Sequence, residues 1–260
     1  MTARDTATLG APCWVDLLTS DQEASKQFYG EIFGWTVDDP GPEFGGYVNF
    51  LRDGVQVGGC MRNDGTAAQP DVWSVYLAVN DAQAAVDAAD VHQGQTHLPP
   101  MPVADLGVMA MVADAGGAAI GLWQPGVHKG FGVYGEAGAP SWFELHTRAY
   151  DKSVGFYRDV FAWNLELTAD TPEFRYASLE IGGEALAGII DATSILPQGV
   201  PPHWAIYFGV DDADATLERI EKLGGSVVQA AEDTPYGRLA SAVDSTGAGF
   251  RLLQPLANAG

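Results

Sequence analysis

The sequence predicts an α+β protein of four βαβββ units, set in two tandem modules whose mixed, curved sheets carry helices on their outer face. Three observations predict it: an internal repeat, helical patterning that recurs once per unit, and alternating strands bounded by turn residues.

The repeat comes first. Trp14-Val15-Asp16-Leu17 reappears as Trp142-Phe143-Glu144-Leu145. Reading on without a gap, Phe28 and Tyr29 fall on Phe156 and Tyr157, Phe33 on Phe161, and Trp35 on Trp163. After a short insertion, Trp73 and Tyr76 lie over Trp204 and Tyr207, and Val79 and Asp81 over Val210 and Asp212. Near the end of each half, Asp114, Gly117, Leu122, Gln124 and Pro125 match Asp244, Gly247, Leu252, Gln254 and Pro255. Aromatic pairs kept in order mark a duplication, with modules at 1–125 and 141–260. The Gly-rich stretch 126–140 has no periodicity and reads as a crossing linker. A solenoid would need shorter and more numerous repeats.

Each module opens on a strand, 13–18 and 142–147, and a helix follows. Ser20 and Glu23 have capping-box spacing, and Ala24, Phe28 and Ile32 then recur every four residues. Ser153, Phe156, Tyr157, Val160 and Phe161 repeat this in the second half. Strands are predicted at 47–51 and 55–61, and at 174–180 and 185–190. Arg52-Asp53-Gly54 and Gly182-Gly183 supply their hairpin turns. Strands at 73–79 and 204–210 lead into helices at 81–93 and 212–223, the latter stopped by Gly224-Gly225. Closing strands fall at 107–113 and 119–124, and at 238–243 and 249–254, preceded by weakly marked strands at 96–98 and 227–229. Gly58-Gly59 and Gly116-Gly117 read as turns.

Composition narrows the function. The 260-residue chain is 47% apolar, enough for two domain cores. A formal net charge of -21 repels nucleic-acid phosphates and anionic lipid. No apolar run reaches the roughly 20 residues of a membrane span. Residues 1–12 lack the basic start and apolar stretch of a secretory signal. Cys13 and Cys60 make no disulfide framework and read as small buried apolar groups, compatible with a reducing cytoplasm, the expected location.

Strand alternation assigns faces. Val15, Leu17, Trp73, Val75, Leu77, Val79, Ile120 and Leu122 share the helix side of the first sheet. Phe143, Leu145, Trp204, Ile206, Phe208, Val210, Phe250 and Leu252 do so in the second. The opposite faces carry Trp14, Asp16, Ser74, Tyr76, Gly121 and Trp123 in one half, and Trp142, Glu144, His146, Tyr207 and Arg251 in the other. A mostly aromatic trough with few polar groups suits a small organic ligand. The bland alternative is that these rings fill the trough or a domain contact.

The stretch Asp21 to Trp35, with its Phe28-Tyr29 and Phe33-Gly34-Trp35, resembles the first helix of the vicinal oxygen chelate superfamily, which includes glyoxalase I, extradiol dioxygenases and bleomycin-resistance proteins. Val210-Asp211-Asp212 and Asp244-Ser245-Thr246-Gly247 resemble its other signposts. The Trp-Val-Asp-Leu and Trp-Phe-Glu-Leu openings and the Gln-Pro endings are most similar to an actinobacterial tandem glyoxalase-like subgroup that includes a mycobacterial antigen. The resemblance implies two glyoxalase-like modules, each with a small-molecule cleft. Metal-using members place their ligands at positions that here fall on Trp14 and Trp142, Ser74 and Ala205, and Gly121 and Arg251. None is a plausible donor and Arg251 repels a cation, so no cofactor is expected, with a divalent metal the minority case.

Three functions stay open. The first is a metal-independent binder of a planar organic molecule, with Trp14, Ser74, Tyr76, Trp123, Trp142, Tyr207 and Arg251 as contacts. The second is an enzyme of the glyoxalase or auxiliary-oxygenase type, with Glu144 and His146, or Asp16 and Tyr76, as acid–base groups. The third is a partner-binding scaffold with a filled trough. The expected partner is a small organic molecule, and the expected state is monomer or homodimer. The bland readings are a hydrogen-bonded His146 and a Glu144–Arg251 salt bridge. No serine triad order, Walker loop or dinucleotide fingerprint is present.

Overall fold

The computed structural model describes residues 7–65 and 69–256; the first six residues of the stretch read for a signal, and the last four of the second module, lie outside it. β1 (Pro12–Thr19), α1 (Gln22–Phe33), β2 (Thr36–Asp38), β3 (Val48–Arg52) and β4 (Val55–Arg62) form the first βαβββ unit. β5 (Val72–Ala78), α2 (Ala82–Val91), β6 (Gln95–Val103), β7 (Gly107–Ala113) and β8 (Ala119–Pro125) form the second. The pattern repeats as β9 (Pro140–Thr147), α3 (Tyr150–Phe161), β10 (Leu165–Asp170), β11 (Arg175–Ile181) and β12 (Glu184–Asp191). The fourth unit is β13 (His203–Gly209), α4 (Ala213–Lys222), β14 (Ser226–Thr234), β15 (Gly237–Val243) and β16 (Gly249–Gln254).

Each half is one eight-stranded mixed sheet, in the order β2-β3-β4-β1-β5-β8-β7-β6 and β10-β11-β12-β9-β13-β16-β15-β14. The opening strands of the two units, β1 and β5 or β9 and β13, lie antiparallel at the centre. Each is flanked by a parallel neighbour, so each sheet has an approximate twofold.

The edges depart most from the sequence reading. β2 and β10 were not anticipated, and β2 is exposed at every position, so it carries no alternation to read. β6 and β14 run nine residues each, well beyond 96–98 and 227–229. Pro99 and Pro100 fit β6 because an edge strand leaves N–H positions unused. The cap of α1 is Asp21, not Ser20: its side chain accepts from Ala24 N at 3.0 Å, while Ser20 bonds Asp71 through N and Oγ. Asp81 and Asp212 cap α2 and α4 in the same way. The Asp53-Gly54 turn has positive φ at both residues, as its hairpin requires. Gly58-Gly59 is not a turn; both residues lie inside β4.

The helix-side residues named from alternation are buried. The two modules meet through these faces: α1 packs on α4 and α2 on α3, and Phe33, Trp35 and Trp73 pack tilted or edge-on around Phe208 at 5.1–5.4 Å. One core cluster spans both halves. Reciprocal polar contacts pin the contact. Trp73 Nε1 donates to Tyr29 Oη at 2.8 Å, and Tyr29 donates to Asp244 of the other half at 2.9 Å. Trp204 Nε1 donates to Tyr157 at 2.8 Å, and the Asp114 carboxylate of the first half lies beside that phenol and, after burial, is the main cause of its raised pKa. Trp163 donates across the boundary to Gly10 O at 2.6 Å, and Trp35 donates to Gly138 O of the linker at 2.7 Å.

The linker is docked rather than loose. Phe131 and Val133 are buried, and Phe131 N donates to Cys13 O at 2.8 Å. Cys13 and Cys60 are both buried, and burial pushes the Cys60 thiol up to about 12. Among the described residues, no helix is long and apolar enough to cross a membrane.

Candidate functional site

The face of each sheet away from the helices lines an open trough. The two troughs and their mouths together enclose about 2230 Å³, against roughly 300–1,000 Å³ for an ordinary ligand site.

In the first trough, β1–β5 register sets Trp14 opposite Tyr76 and Asp16 opposite Ser74, and Tyr76 lies beside Gly121 of β8. Asp16 Oδ1 accepts from Trp14 Nε1 at 2.8 Å and from Tyr47 Oη at 2.5 Å. Burial still drives the Asp16 carboxyl above its ordinary value, with Tyr47, Trp14 and Tyr76 opposing. Burial, then the charge of Asp16, holds the Tyr47 and Tyr76 phenols well above theirs. Glycine makes room for both rings. A Cβ at Gly59 would lie 1.7 Å from the Tyr47 hydroxyl, and one at Gly121 would lie 2.2 Å from the Tyr76 ring.

His128 of the linker closes part of this trough. Its ring meets Trp14 edge-on at 4.3 Å and lies 5.5 Å from Trp123, whose Nε1 donates to His128 O at 3.0 Å. Burial lowers its imidazole to about 4.

The second trough repeats the scaffold with different chemistry. Trp142 lies opposite Tyr207, Glu144 opposite Ala205, and His146 opposite His203. Glu144 Oε1 accepts from Tyr207 at 2.8 Å and pairs with His146 Nε2 at 2.7 Å, while Oε2 accepts from Tyr176 at 2.9 Å. An ionised carboxylate only accepts, so the His146 Nε2 that faces it is a protonated nitrogen. Burial pushes Glu144 up, but the bond and charge of His146, then Tyr207 and Arg251, outweigh it and leave the carboxyl below its ordinary value. Trp142 Nε1 donates to Tyr176 at 3.1 Å, and Tyr176 lies over Gly188 as Tyr47 lies over Gly59. His146 Nδ1 is buried without a partner, and its ring stacks on His203 at 5.3 Å. Burial lowers the His203 imidazole.

Arg251 sits on β16 beside Tyr207 and is paired in the sheet with Ser241. The expected salt bridge to Glu144 does not form: that carboxylate is bonded by Tyr176, Tyr207 and His146, and Arg251 reaches it only through its charge. The guanidinium lies over the Tyr207 ring at 5.4 Å instead.

Register thus brings the residues named from sequence together in two groups, Trp14, Asp16, Ser74, Tyr76 and Trp123, and Trp142, Glu144, His146, Tyr207 and Arg251. Sequence reasoning missed Tyr47, Tyr176, His128 and His203. The two tyrosines had a signal: Tyr47 precedes Gly59 by the same spacing as Tyr176 precedes Gly188. His128 had none, since nothing local tells which way a linker side chain turns.

With this geometry in view, a family model described as "Glyoxalase/Bleomycin resistance protein/Dioxygenase superfamily" matches residues 13–122 and 140–252. The chain belongs to that superfamily. CFP32 of Mycobacterium tuberculosis, a glyoxylase by provisional name, is 37% identical over 254 residues, covering 95% of both chains. The anthracycline biosynthesis protein DnrV of Streptomyces peucetius is 37% identical over 269 residues, covering 94% of this chain and 93% of its own. The fold matches the Mn(II)-bound glyoxalase from Novosphingobium aromaticivorans with a TM-score of 0.65 at 15% identity, covering 96% of this chain and 83% of that one.

A superfamily metal centre does not fit the residues present. Trp14, Ser74 and Gly121 in one trough, and Trp142, Ala205 and Arg251 in the other, offer no set of donors converging at roughly 2 Å. Among the described residues, no three His, Cys, Asp or Glu side chains form a group able to hold an ion.

Proposed function

We propose that this superfamily member binds a planar organic molecule without a metal, the ligand ring lying against the aromatic floor of a trough. The observation that carries the reading is the floor itself. Where a metal centre would need ligating side chains, the strands present Trp14 and Tyr76, or Trp142 and Tyr207, with each carboxylate already bonded to its own tyrosines. Stacking on such rings adds about 0.5–1.5 kcal/mol per aromatic pair beyond burial, enough with the apolar walls for micromolar affinity. The name of DnrV, a protein of anthracycline biosynthesis, points to the same ligand shape. Titration of the chelator-treated protein with a planar quinone such as anthraquinone-2-sulfonate should quench tryptophan fluorescence with a Kd near the micromolar range. Binding that vanishes with chelation and returns with one divalent ion would overturn the metal-free reading.

One observation favours a second reading, an acid–base enzyme: the buried, unpartnered Nδ1 of His146. There Glu144 orients the imidazole from Nε2, and Nδ1 is the base. Turnover of methylglyoxal hemithioacetal that disappears in Glu144→Gln would establish it.

A further inference from the structure

The two troughs share a frame but not a charge. Arg251 is the one lysine or arginine among the described residues that line either of them. Among the described residues it has no ion-pair partner; its guanidinium lies over the Tyr207 ring at 5.4 Å. The nearby carboxylate, Glu144, takes its hydrogen bonds from Tyr176, Tyr207 and His146, and Arg251 acts on it through its charge without an ion-pair contact. The matching place in the first trough is Gly121, covered by the Tyr76 ring, with Met111 opposite it on β7 where the second trough has Ser241. A guanidinium stays charged at any accessible pH and presents a planar fork of donors. On a trough floor it faces a lower dielectric than bulk water, so an anionic oxygen there is held more strongly than at the surface. The protein as a whole carries a charge of -21, and Arg251 is the permanent cation that opposes it in this trough.

We infer that the second trough selects planar ligands bearing an anionic oxygen, a carboxylate, phenolate or enolate, with Arg251 as the specificity-determining residue, whereas the first trough takes uncharged rings. The inference rests on the proposed reading of the troughs as ligand sites. The test uses two probes of nearly equal shape, 2-naphthoate and 2-naphthamide, titrated calorimetrically into the full chain. Naphthoate should bind about tenfold more tightly than naphthamide, a difference of ~1.4 kcal/mol. Arg251→Gln should erase that preference by weakening naphthoate alone, and Arg251→Lys should keep part of it, because the charge stays while the fork is lost. Near-UV circular dichroism identifies any variant that loses its packing, and the lysine variant carries the test if glutamine is not tolerated. Equal binding of the two probes to the wild-type chain, or an equal loss of both in Arg251→Gln, overturns the charge selection and leaves aromatic binding standing. Failure of both probes to bind removes the ligand-site reading together with it.

Discussion

The first and second troughs are built on the same strands in the same register, and each centres on a carboxylate gripped by tyrosines. They differ in what surrounds that carboxylate. Asp16 has only hydroxyl and indole donors, and burial wins, raising its pKa. Glu144 has a histidine and an arginine charge nearby, and these win, lowering it. Duplication preserved the scaffold, a tyrosine laid over a strand glycine, while the sign of the local electrostatics diverged through three positions: Leu18 to His146, Val72 to His203, and Gly121 to Arg251. A trough can therefore change the class of ligand it favours without moving its backbone.

The contrast predicts a large stability difference first. Glu144→Ala leaves His146 and Tyr207 buried, and Tyr176 half-buried, without their acceptor and should lower the unfolding free energy by about 3–5 kcal/mol in urea melts at neutral pH. Asp16→Ala should cost about 1–3 kcal/mol, since a carboxylate with a raised pKa contributes less once ionised. The pH dependence runs in opposite senses. Glu144, depressed in the fold, contributes stability above its ordinary value of 4.5 that is lost as pH falls through the folded value. Asp16, raised in the fold, contributes fully below 3.8 and loses its contribution as pH rises through the folded value. Equal costs and parallel pH profiles for the two alanine variants would dissolve the distinction between the halves.

A smaller effect concerns His128. Its folded value of about 4 lies below the ordinary 6.5, so the docked, neutral ring is favoured above 6.5 and the docking weakens as pH falls from 6.5 towards 4. Tryptophan emission should change over that window and stay flat in His128→Ala. The same variant should bind 2-naphthamide about tenfold more tightly, as the slot between Trp14 and Trp123 opens, a gain of ~1.4 kcal/mol. A last pair of variants tests what the halves share. Tyr47→Phe and Tyr176→Phe each remove one hydrogen bond to a carboxylate from the same glycine-cradled position. Each should cost about 1.5–3 kcal/mol by thermal melts, and by similar amounts; a cost confined to one would show that the common frame matters in one half alone.

The repeat made the sheet centres legible because buried strands alternate and their aromatics recur in order. β1, β5, β8 and their counterparts were placed within a residue or two for that reason. The edges were not: β2 is exposed throughout, and β6 only half-buries alternate residues, with Pro99, Pro100 and Pro102 masking the strand in the sequence. Parity found Trp14, Asp16, Tyr76, Trp142, Glu144, Tyr207 and Arg251 as one kind of surface, but parity assigns a face and says nothing of partners. The Glu144–Arg251 pair looked natural by charge and lost to three donors, of which Tyr176 comes from a strand two places across the sheet. Ser20 looked like a cap and lost to Asp21 because Asp71, fifty-one positions away, holds it.

The crossed phenol–carboxylate contacts between the halves reach beyond packing. Each module presents a tyrosine that finishes its hydrogen bonding on the other's turn, Tyr29 on Asp244 and Tyr157 beside Asp114. A gene cut at the linker would therefore yield two products with complementary sticky faces, and their natural remedy is to find each other again. Separately expressed fragments should reassemble on mixing, a split protein whose reunion could report on two molecules brought together.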